Sequence, residues 1–313
     1  VYHGVPEEFW NLFLSGENAN PWYVFLLGYP VLGIWFWCTD QSMVQSVLAA
    51  KSLKHGRYGT AITGYLKILD MVLFILPGII CLVLFPTLAN PDEAYMTMVS
   101  ELLPHGLIGL IMTVLIAALV STIASALNSL STVFTLDIYQ RRFKPGASTE
   151  ETIMTGRIVV LIGSFISIFI AVGMDAITGF DLFSLFQAIL GFLAPPLSAV
   201  FFVGVLWKGA NPKGANTVLT LGTAISLGIG VCVFLGFPSP EFWPHFLILS
   251  FDIFVGLCAL MIVVSLMTRK QGEESPLPTL AETYAASGKV GTGVWGVWAS
   301  LFAIMIGLYV FFN

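Results

Sequence analysis

Long apolar stretches without a charged side chain dominate this sequence. A helix needs about 20 apolar residues to cross a bilayer, and the 313 residues contain eight runs close to that length or longer. Only 10% of the residues are charged, against about 25% in soluble domains. The chain is therefore predicted to be an all-α membrane protein with about eight transmembrane helices, which excludes a soluble enzyme or a nucleic-acid-binding protein. The runs are 18–39, 71–91, 102–136, 158–174, 182–207, 214–240, 242–268 (interrupted only by Asp252) and 290–313.

Lysine and arginine fall in alternate connections between these runs. Of the 13, only Lys67 is assigned to a predicted span, the second, at its start and four residues before the apolar run 71–91. Because cytoplasmic loops carry the excess of Lys and Arg, we predict a multi-pass protein of the plasma membrane, in the first place a bacterial inner membrane, with both chain ends outside. Residues 1–20 would be extracellular or periplasmic, and 268–289 a cytoplasmic linker. The other 12 are Lys51, Lys54, Arg57, Arg141, Arg142, Lys144, Arg157, Lys208, Lys213, Arg269, Lys270 and Lys289.

The third run carries a stripe of small and hydroxyl-bearing side chains at helical steps of three and four. Such a stripe allows two helices to pack closely and to hydrogen-bond across their interface. It also offers the oxygen ligands that a cation such as Na⁺ requires, together with main-chain carbonyls from broken helices. The pattern alone leaves both interpretations open. The stripe comprises Ala118, Ser121, Thr122, Ser125, Ser129 and Thr132.

Lys67 stands three residues before Asp70, a spacing at which the two side chains can touch on a helix. An ionisable residue within a span is costly and usually faces a partner or a cavity. Lys67 could form an ion pair with Asp70, extend its ammonium to the cytoplasmic surface, or donate to a polar solute inside the bundle.

Two further features could contribute to a binding site. Gln187 precedes the pair Pro195-Pro196, which should break its helix and free main-chain carbonyls; its amide could bind a hydroxylated ligand or bridge two helices. Phe36 and Trp37 lie at the end of the first run. Their rings could belong to an interfacial belt or the core, or could stack on a sugar ring.

Four stretches occurring in order resemble the sodium/solute symporter family, and most closely its sodium/glucose cotransporter branch. The resemblance implies a LeuT-like fold of two inverted five-helix repeats. Residues 21–207 would form the second repeat, core helices six to ten, and 208–313 the peripheral C-terminal helices. The first repeat would lie in N-terminal helices of the same protein that are missing from this chain. The stretches are WFWCTDQSMVQSVLAAKSL, GYLKILDMVLFILPGII, AALVSTIASALNSLSTVFTLDIYQRR and LFQAILGFLAPPLSAVFFVGVLWK.

The resemblance also implies roles for individual residues. The positions that match the family's sodium site are Ala118, Ser121 and Thr122, where Thr122 replaces a usual serine but keeps the hydroxyl. The positions that match its sugar site depart from the usual pattern in part, since Phe36 replaces a usual tyrosine and Asp70 a usual apolar residue or proline. The implied solute-binding residues are Lys67, Gln187, Phe36 and Trp37.

The function implied is sodium-coupled symport of a small polar solute, in the first place a sugar, by alternating access. Na⁺ would be the coupling ion, with no organic cofactor, no enzymatic activity and no nucleic-acid partner. The solute, Na⁺ and the lipid bilayer would be the partners. Alternative solutes are a polyol, a monocarboxylate, sialic acid or an amino acid, and the alternative class is a membrane sensor module that transports nothing.

Overall fold

A computed structural model of the chain describes residues 21–88, 90–175, 182–269, 277–287 and 290–311, so the predicted outer segment 1–20 lies outside the described residues. The described residues are almost entirely helical. Four π-helical segments, Trp35–Thr39, Met71–Ile75, Val133–Phe143 and Val218–Gly222, adjoin α-helices. The α-helices are α1 (Trp22–Ile34), α2 (Gln41–Leu48), α3 (Leu53–Asp70), α4 (Leu76–Leu84), α5 (Ala94–Leu102), α6 (His105–Thr132), α7 (Thr149–Asp175), α8 (Leu182–Leu206), α9 (Pro212–Thr217), α10 (Thr223–Phe234), α11 (Phe246–Thr268), α12 (Leu280–Ala286) and α13 (Thr292–Phe311).

Eight helical stretches in the described part of the chain are long and apolar enough to cross a bilayer, which confirms the predicted number of spans. Each corresponds to one of the apolar runs, in the same order. The chain is therefore a multi-pass membrane protein with an all-α fold. The stretches are Trp22–Thr39, Leu53–Leu84, His105–Phe143, Thr149–Gly173, Phe183–Leu206, Pro212–Phe234, Phe246–Thr268 and Thr292–Phe311.

Several of these helices begin before their apolar runs. The second span begins at Leu53 rather than near residue 71, and the fourth begins at Thr149 rather than at 158. Arg157, which we predicted in a connecting loop, therefore lies within α7. The difference arises because an apolar run ends at the first charged residue, whereas helical hydrogen bonding continues through charged side chains that point away from the helix.

The chain divides into two compact units, one from Val1–Val83 with Leu182–Asn313 and the other from Leu84–Asp181. In the first unit, α1, α8 and α11 pack together around buried apolar side chains. The contact between α1 and α11 depends on Gly28, because a Cβ there would lie 2.5 Å from Cβ of Leu247. The packing of α8 against α11 joins the predicted second repeat to the predicted peripheral helices. The predicted boundary at residue 207, between the second inverted repeat and the peripheral helices, stays a prediction.

The double proline does not break α8. Pro195 and Pro196 both lie inside the continuous helix Leu182–Leu206, so the predicted interruption is wrong. Proline 196 lacks the N–H group that would otherwise bond to the carbonyl four residues earlier. That carbonyl belongs to Phe192, and the buried hydroxyl of Ser226 on α10 donates to it over 2.5 Å. A neighbouring helix therefore supplies the hydrogen bond that the proline removes.

Replacing Ser226 with alanine should destabilise the protein, because the buried carbonyl of Phe192 would lose its partner. Leaving such a group unsatisfied costs about 1–3 kcal/mol. We expect thermal unfolding of the purified protein in detergent to begin at a lower temperature in Ser226→Ala. Pro196→Ala restores the main-chain N–H, so the same serine substitution should cost less in that background. If Ser226→Ala lowers the unfolding temperature equally in the parent protein and in Pro196→Ala, this hydrogen bond does not replace the one that the proline removes.

The second unit contains the long helix α6, which packs against α7. Leu127 and Leu130 approach Gly163, and the hydroxyl of Ser131 donates to the carbonyl of Gly156 over 3.2 Å. The face of α6 that meets α7 is thus defined by residues 127, 130 and 131.

The short helix α12 lies in the predicted cytoplasmic linker and is held against α3 and the residues that follow α8. Thr279 and Glu282 form a capping box at its start. The ammonium of Lys208 lies 2.8 Å from the Glu282 carboxylate. The hydrogen bond from Lys208, followed by that from the Thr279 main chain, lowers the pKa of Glu282. At the other end of α12, Arg57 donates to the hydroxyl of Ser287 over 3.0 Å.

Candidate functional site

A cavity of about 770 Å³ lies within the first unit, between the π-helical segment Trp35–Thr39, α2, α3 and α13. It brings together three of the four predicted solute-binding residues, Phe36, Trp37 and Lys67. Nothing in the chain order makes this obvious, since Lys67 is 30 residues from Trp37. The cavity is lined by Phe36, Trp37, Met43, Ser46, Val47, Ala50, His55, Gly56, Gly59, Thr60, Thr63, Gly64, Lys67 and Trp298.

The aromatic wall is positioned by a local change in helix geometry. After α1 the chain widens into the π-helical segment Trp35–Thr39, in which the N–H of Asp40 donates to the carbonyl of Trp35 over 3.0 Å. Such segments are common at functional sites. The rings of Phe36 and Trp37 meet edge to face, with centroids 5.0 Å apart. The helix then stops and restarts as α2, whose first main-chain N–H groups donate to the Asp40 carboxylate.

The opposite wall is one face of α3. Gly56, Gly59, Thr60, Thr63, Gly64 and Lys67 recur at steps of three and four, so they share that face. The small residues leave space, and the threonine hydroxyls bring polar groups to an otherwise apolar wall. Sequence reasoning missed this face, although its glycine and threonine spacing is visible in the chain.

Lys67 both lines the cavity and pairs with Asp70. Its ammonium lies 3.0 Å from the Asp70 carboxylate, and the two side chains are 61% and 45% exposed. The ion pair predicted from the spacing therefore forms, while the lysine still lines the cavity; its contact with a solute stays a prediction. The positive charge at the cavity wall is compensated by a neighbouring negative charge.

Gln187 is positioned differently from the other three predicted residues. It lies on α8, and its amide nitrogen donates to the Tyr29 hydroxyl over 3.3 Å. The Tyr29 ring in turn stacks on Phe25, with centroids 5.5 Å apart. Gln187 is not among the residues that line the cavity. Its predicted contact with the solute stays a prediction.

The predicted sodium ligands lie on α6, in the second unit. Ala118, Ser121 and Thr122 are all exposed, and the Thr122 hydroxyl donates to the Ala118 carbonyl over 2.9 Å. Each of the three stands nine residues before a residue that meets α7, namely Leu127, Leu130 and Ser131. Nine residues at about 100° each make two and a half turns. These three residues therefore lie on the side of α6 opposite its contact with α7, so packing against α7 does not account for the hydroxyls of Ser121 and Thr122. Thr132, the last residue of the stripe, instead lines a cavity together with residues of α7.

Eight long apolar helices among the described residues, with a partly polar cavity in the first unit and a polar stripe on α6 in the second, define a multi-pass membrane protein of the all-α class. The sequence pattern of the family "Sodium:solute symporter family" matches residues 12–222, about two thirds of the chain. The chain belongs to the sodium:solute symporter family, which has a LeuT-like fold. This confirms the family and the fold class implied by the four stretches.

Several curated relatives resemble the chain over most of its length. It is 39% identical over 243 residues to the sodium/myo-inositol cotransporter 2 of Bos taurus, covering 72% of this chain and 36% of that protein. It is 37% identical over 237 residues to a sodium/mannose cotransporter of Bos taurus, covering 70% and 39%. It is 39% identical over 225 residues to the sodium/glucose cotransporter 4 of Danio rerio, covering 66% and 34%. The chain thus spans little more than a third of the length of these relatives.

Proposed function

We propose that this chain forms the solute-binding wall and part of the sodium site of a symporter that moves a neutral sugar or polyol together with Na⁺. The observation that carries the proposal is the cavity that joins Phe36, Trp37 and Lys67. The relatives named as myo-inositol, mannose and glucose cotransporters support a solute of this class.

The cavity walls suit a ring that carries many hydroxyl groups. The aromatic faces of Phe36 and Trp37 can cover the C–H face of such a ring. The hydroxyls of Ser46, Thr60 and Thr63 donate to main-chain carbonyls of their own helices and can each accept a hydrogen bond from a solute hydroxyl. The Lys67 ammonium at the same cavity donates. A solute with polar edges and an apolar face matches both kinds of wall.

The ion pair between Lys67 and Asp70 favours a neutral solute over an anion. A lysine alone at the wall of a cavity inside the membrane would attract a carboxylate. With the Asp70 carboxylate 3.0 Å from the ammonium, an anion would gain attraction from one group and repulsion from the other. Lys67 keeps hydrogen-bond donors for a hydroxyl. Monocarboxylates and sialic acid are therefore less suitable solutes than sugars and polyols.

Ala118, Ser121 and Thr122 would supply oxygen atoms to Na⁺, the coupling ion. Hydroxyl and main-chain carbonyl oxygens are the ligands that hard cations take. The exposed position of these three residues, on the side of α6 opposite α7, supports this role. The remaining ligands would come from the first inverted repeat, in N-terminal helices of the same protein, as the family resemblance implies. Sodium entry down its gradient would drive the solute by alternating access between the two membrane faces.

The proposed orientation follows the distribution of basic residues, with the Lys/Arg-bearing connections on the cytoplasmic side of a plasma membrane, in the first place a bacterial inner membrane. Residues 21–207 would form the second inverted repeat and 208–313 the peripheral helices. The ends of the chain would lie on the outer side.

The test is uptake by the complete gene product in proteoliposomes with an imposed inward Na⁺ gradient. We expect accumulation of labelled myo-inositol, mannose or glucose that depends on the gradient. Phe36→Ala and Trp37→Ala should each raise the solute concentration needed for half-maximal uptake by about two- to tenfold, since an aromatic contact contributes roughly 0.5–1.5 kcal/mol. Phe165→Ala, which removes an exposed ring from α7, serves as the control. The proposal is contradicted if the protein takes up neither myo-inositol, mannose nor glucose. It is also contradicted if the control Phe165→Ala has the same effect as Phe36→Ala and Trp37→Ala.

A further inference from the structure

The last helix of the chain contributes a tryptophan to the cavity. Trp298 lies on α13 and lines the same space as Phe36, Trp37 and Lys67. The part of the chain that matches the family pattern ends at residue 222, so α13 lies beyond it. From the sequence this helix is predicted to be one of the peripheral helices, and none of the predicted binding residues lies on it.

The position of α13 against α3 is set by close contacts. The hydroxyl of Tyr65 on α3 donates to the carbonyl of Val297 over 3.0 Å and also contacts the hydroxyl of Ser300. One residue before the tyrosine, Gly64 allows the approach, because a Cβ there would lie 2.7 Å from Cδ2 of Leu301. These contacts bring the segment around residue 298 onto the cavity face of α3.

Trp298 lies on the inner side of α13. Val294 and Leu301, one turn before and one turn after it, are only 5% and 9% exposed. Trp298 itself is half-buried. Trp295, on the same helix, is 57% exposed and does not line the cavity. The two tryptophans therefore differ in surroundings, and only one has the position of a binding residue.

We propose that Trp298 contacts the transported solute and helps to determine which sugar or polyol is accepted. This inference rests on the proposed function. The indole closes a cavity whose other walls carry two aromatic rings, hydroxyls and an ammonium, and its flat face suits the C–H surface of a hydroxylated ring.

The experiment compares Trp298→Ala and Trp298→Phe with the matched control Trp295→Ala in the complete gene product. Binding of labelled myo-inositol and mannose is measured in detergent in the presence of Na⁺, and uptake is measured in proteoliposomes. We expect Trp298→Ala to weaken binding of the preferred solute about tenfold and to change the ratio of the two affinities. Trp298→Phe should retain most of the affinity, the apparent affinity for Na⁺ should be unchanged, and Trp295→Ala should behave as the parent.

Thiol labelling gives a readout that does not depend on transport. In Trp298→Cys, a water-soluble maleimide should react above the level of the parent protein, and the bound solute should slow the reaction. The same reagent should label Trp295→Cys at a rate that the solute does not alter. This comparison also serves if Trp298→Ala fails to reach the membrane.

The outcomes separate the two proposals. If Phe36→Ala and Trp37→Ala weaken binding but Trp298→Ala does not, or if solute does not protect residue 298, the role of Trp298 is wrong and the proposed function stands. If the parent protein binds neither myo-inositol nor mannose nor glucose, the proposed function fails and the role of Trp298 fails with it.

Discussion

Removing both hydroxyls of Ser121 and Thr122 should nearly abolish sodium-driven uptake. We expect each alanine substitution to raise the Na⁺ concentration needed for half-maximal uptake by about tenfold or more, because a cation that loses an oxygen ligand must keep part of its hydration shell. The double variant should require more Na⁺ than either single variant. The measurement is initial uptake as a function of external Na⁺ in proteoliposomes of the complete gene product, at equal protein content.

Thr113 provides a matched control on the same helix. Its hydroxyl donates to the Gly109 carbonyl over 2.8 Å, as the Thr122 hydroxyl donates to that of Ala118 over 2.9 Å. The two threonines are nine residues apart and so lie on opposite sides of α6. Thr113→Ala should leave the dependence on Na⁺ unchanged. If it has the same effect as Thr122→Ala, or if both substitutions at 121 and 122 leave sodium dependence unchanged, the sodium-site assignment is wrong.

Asp70→Asn should shift the preference of the cavity from neutral towards anionic solutes. The substitution removes the negative charge beside Lys67 and leaves its ammonium uncompensated at the cavity wall. A unit charge a few ångströms away is worth about 1–4 kcal/mol between bulk water and a protein surface. We therefore expect competition by glucuronate against labelled glucose or myo-inositol to improve about tenfold.

A second ion pair serves as the control for charge removal. Asp137 lies 3.4 Å from Arg141 on the π-helical segment after α6, and neither lines the cavity. Asp137→Asn should leave the preference between glucuronate and glucose unaltered. An unchanged preference in Asp70→Asn as well would show that Asp70 does not set the charge of the solute site.

The positions of the residues proposed to bind the solute could be predicted from the chain only in part. Lys67, Phe36 and Trp37 were identified through local patterns and the family resemblance, and the structure brings them to one cavity. The same reasoning placed Gln187 with them, whereas the structure pairs it with Tyr29. A single polar residue in a span is expected to have a hydrogen-bond partner, but the sequence pattern does not indicate which helix carries that partner.

The prolines of α8 illustrate a second limit. A proline removes a main-chain donor wherever it occurs, and the chain alone predicts a break at 195–196. Whether the helix breaks depends on whether another group can bond to the freed carbonyl. Ser226, 30 residues after Pro196, does so from α10. Its hydroxyl was not distinguishable in the sequence from the other serines of the apolar runs.

The sequence by itself determined the class of this protein, its number of spans and its family. These properties depend on features that act along the chain: the length of apolar runs against the thickness of a bilayer, the alternation of basic connections and extended motifs in order. Only the tertiary structure decided that Lys67 is both paired and exposed to a cavity, that the three predicted sodium ligands on α6 turn away from α7, and that Trp298 lines the same cavity as Phe36 and Trp37. Those facts depend on which helices pack together. In a chain whose spans are apolar on nearly every side, hydropathy does not distinguish one face from another, so side-chain fit between helices makes that choice.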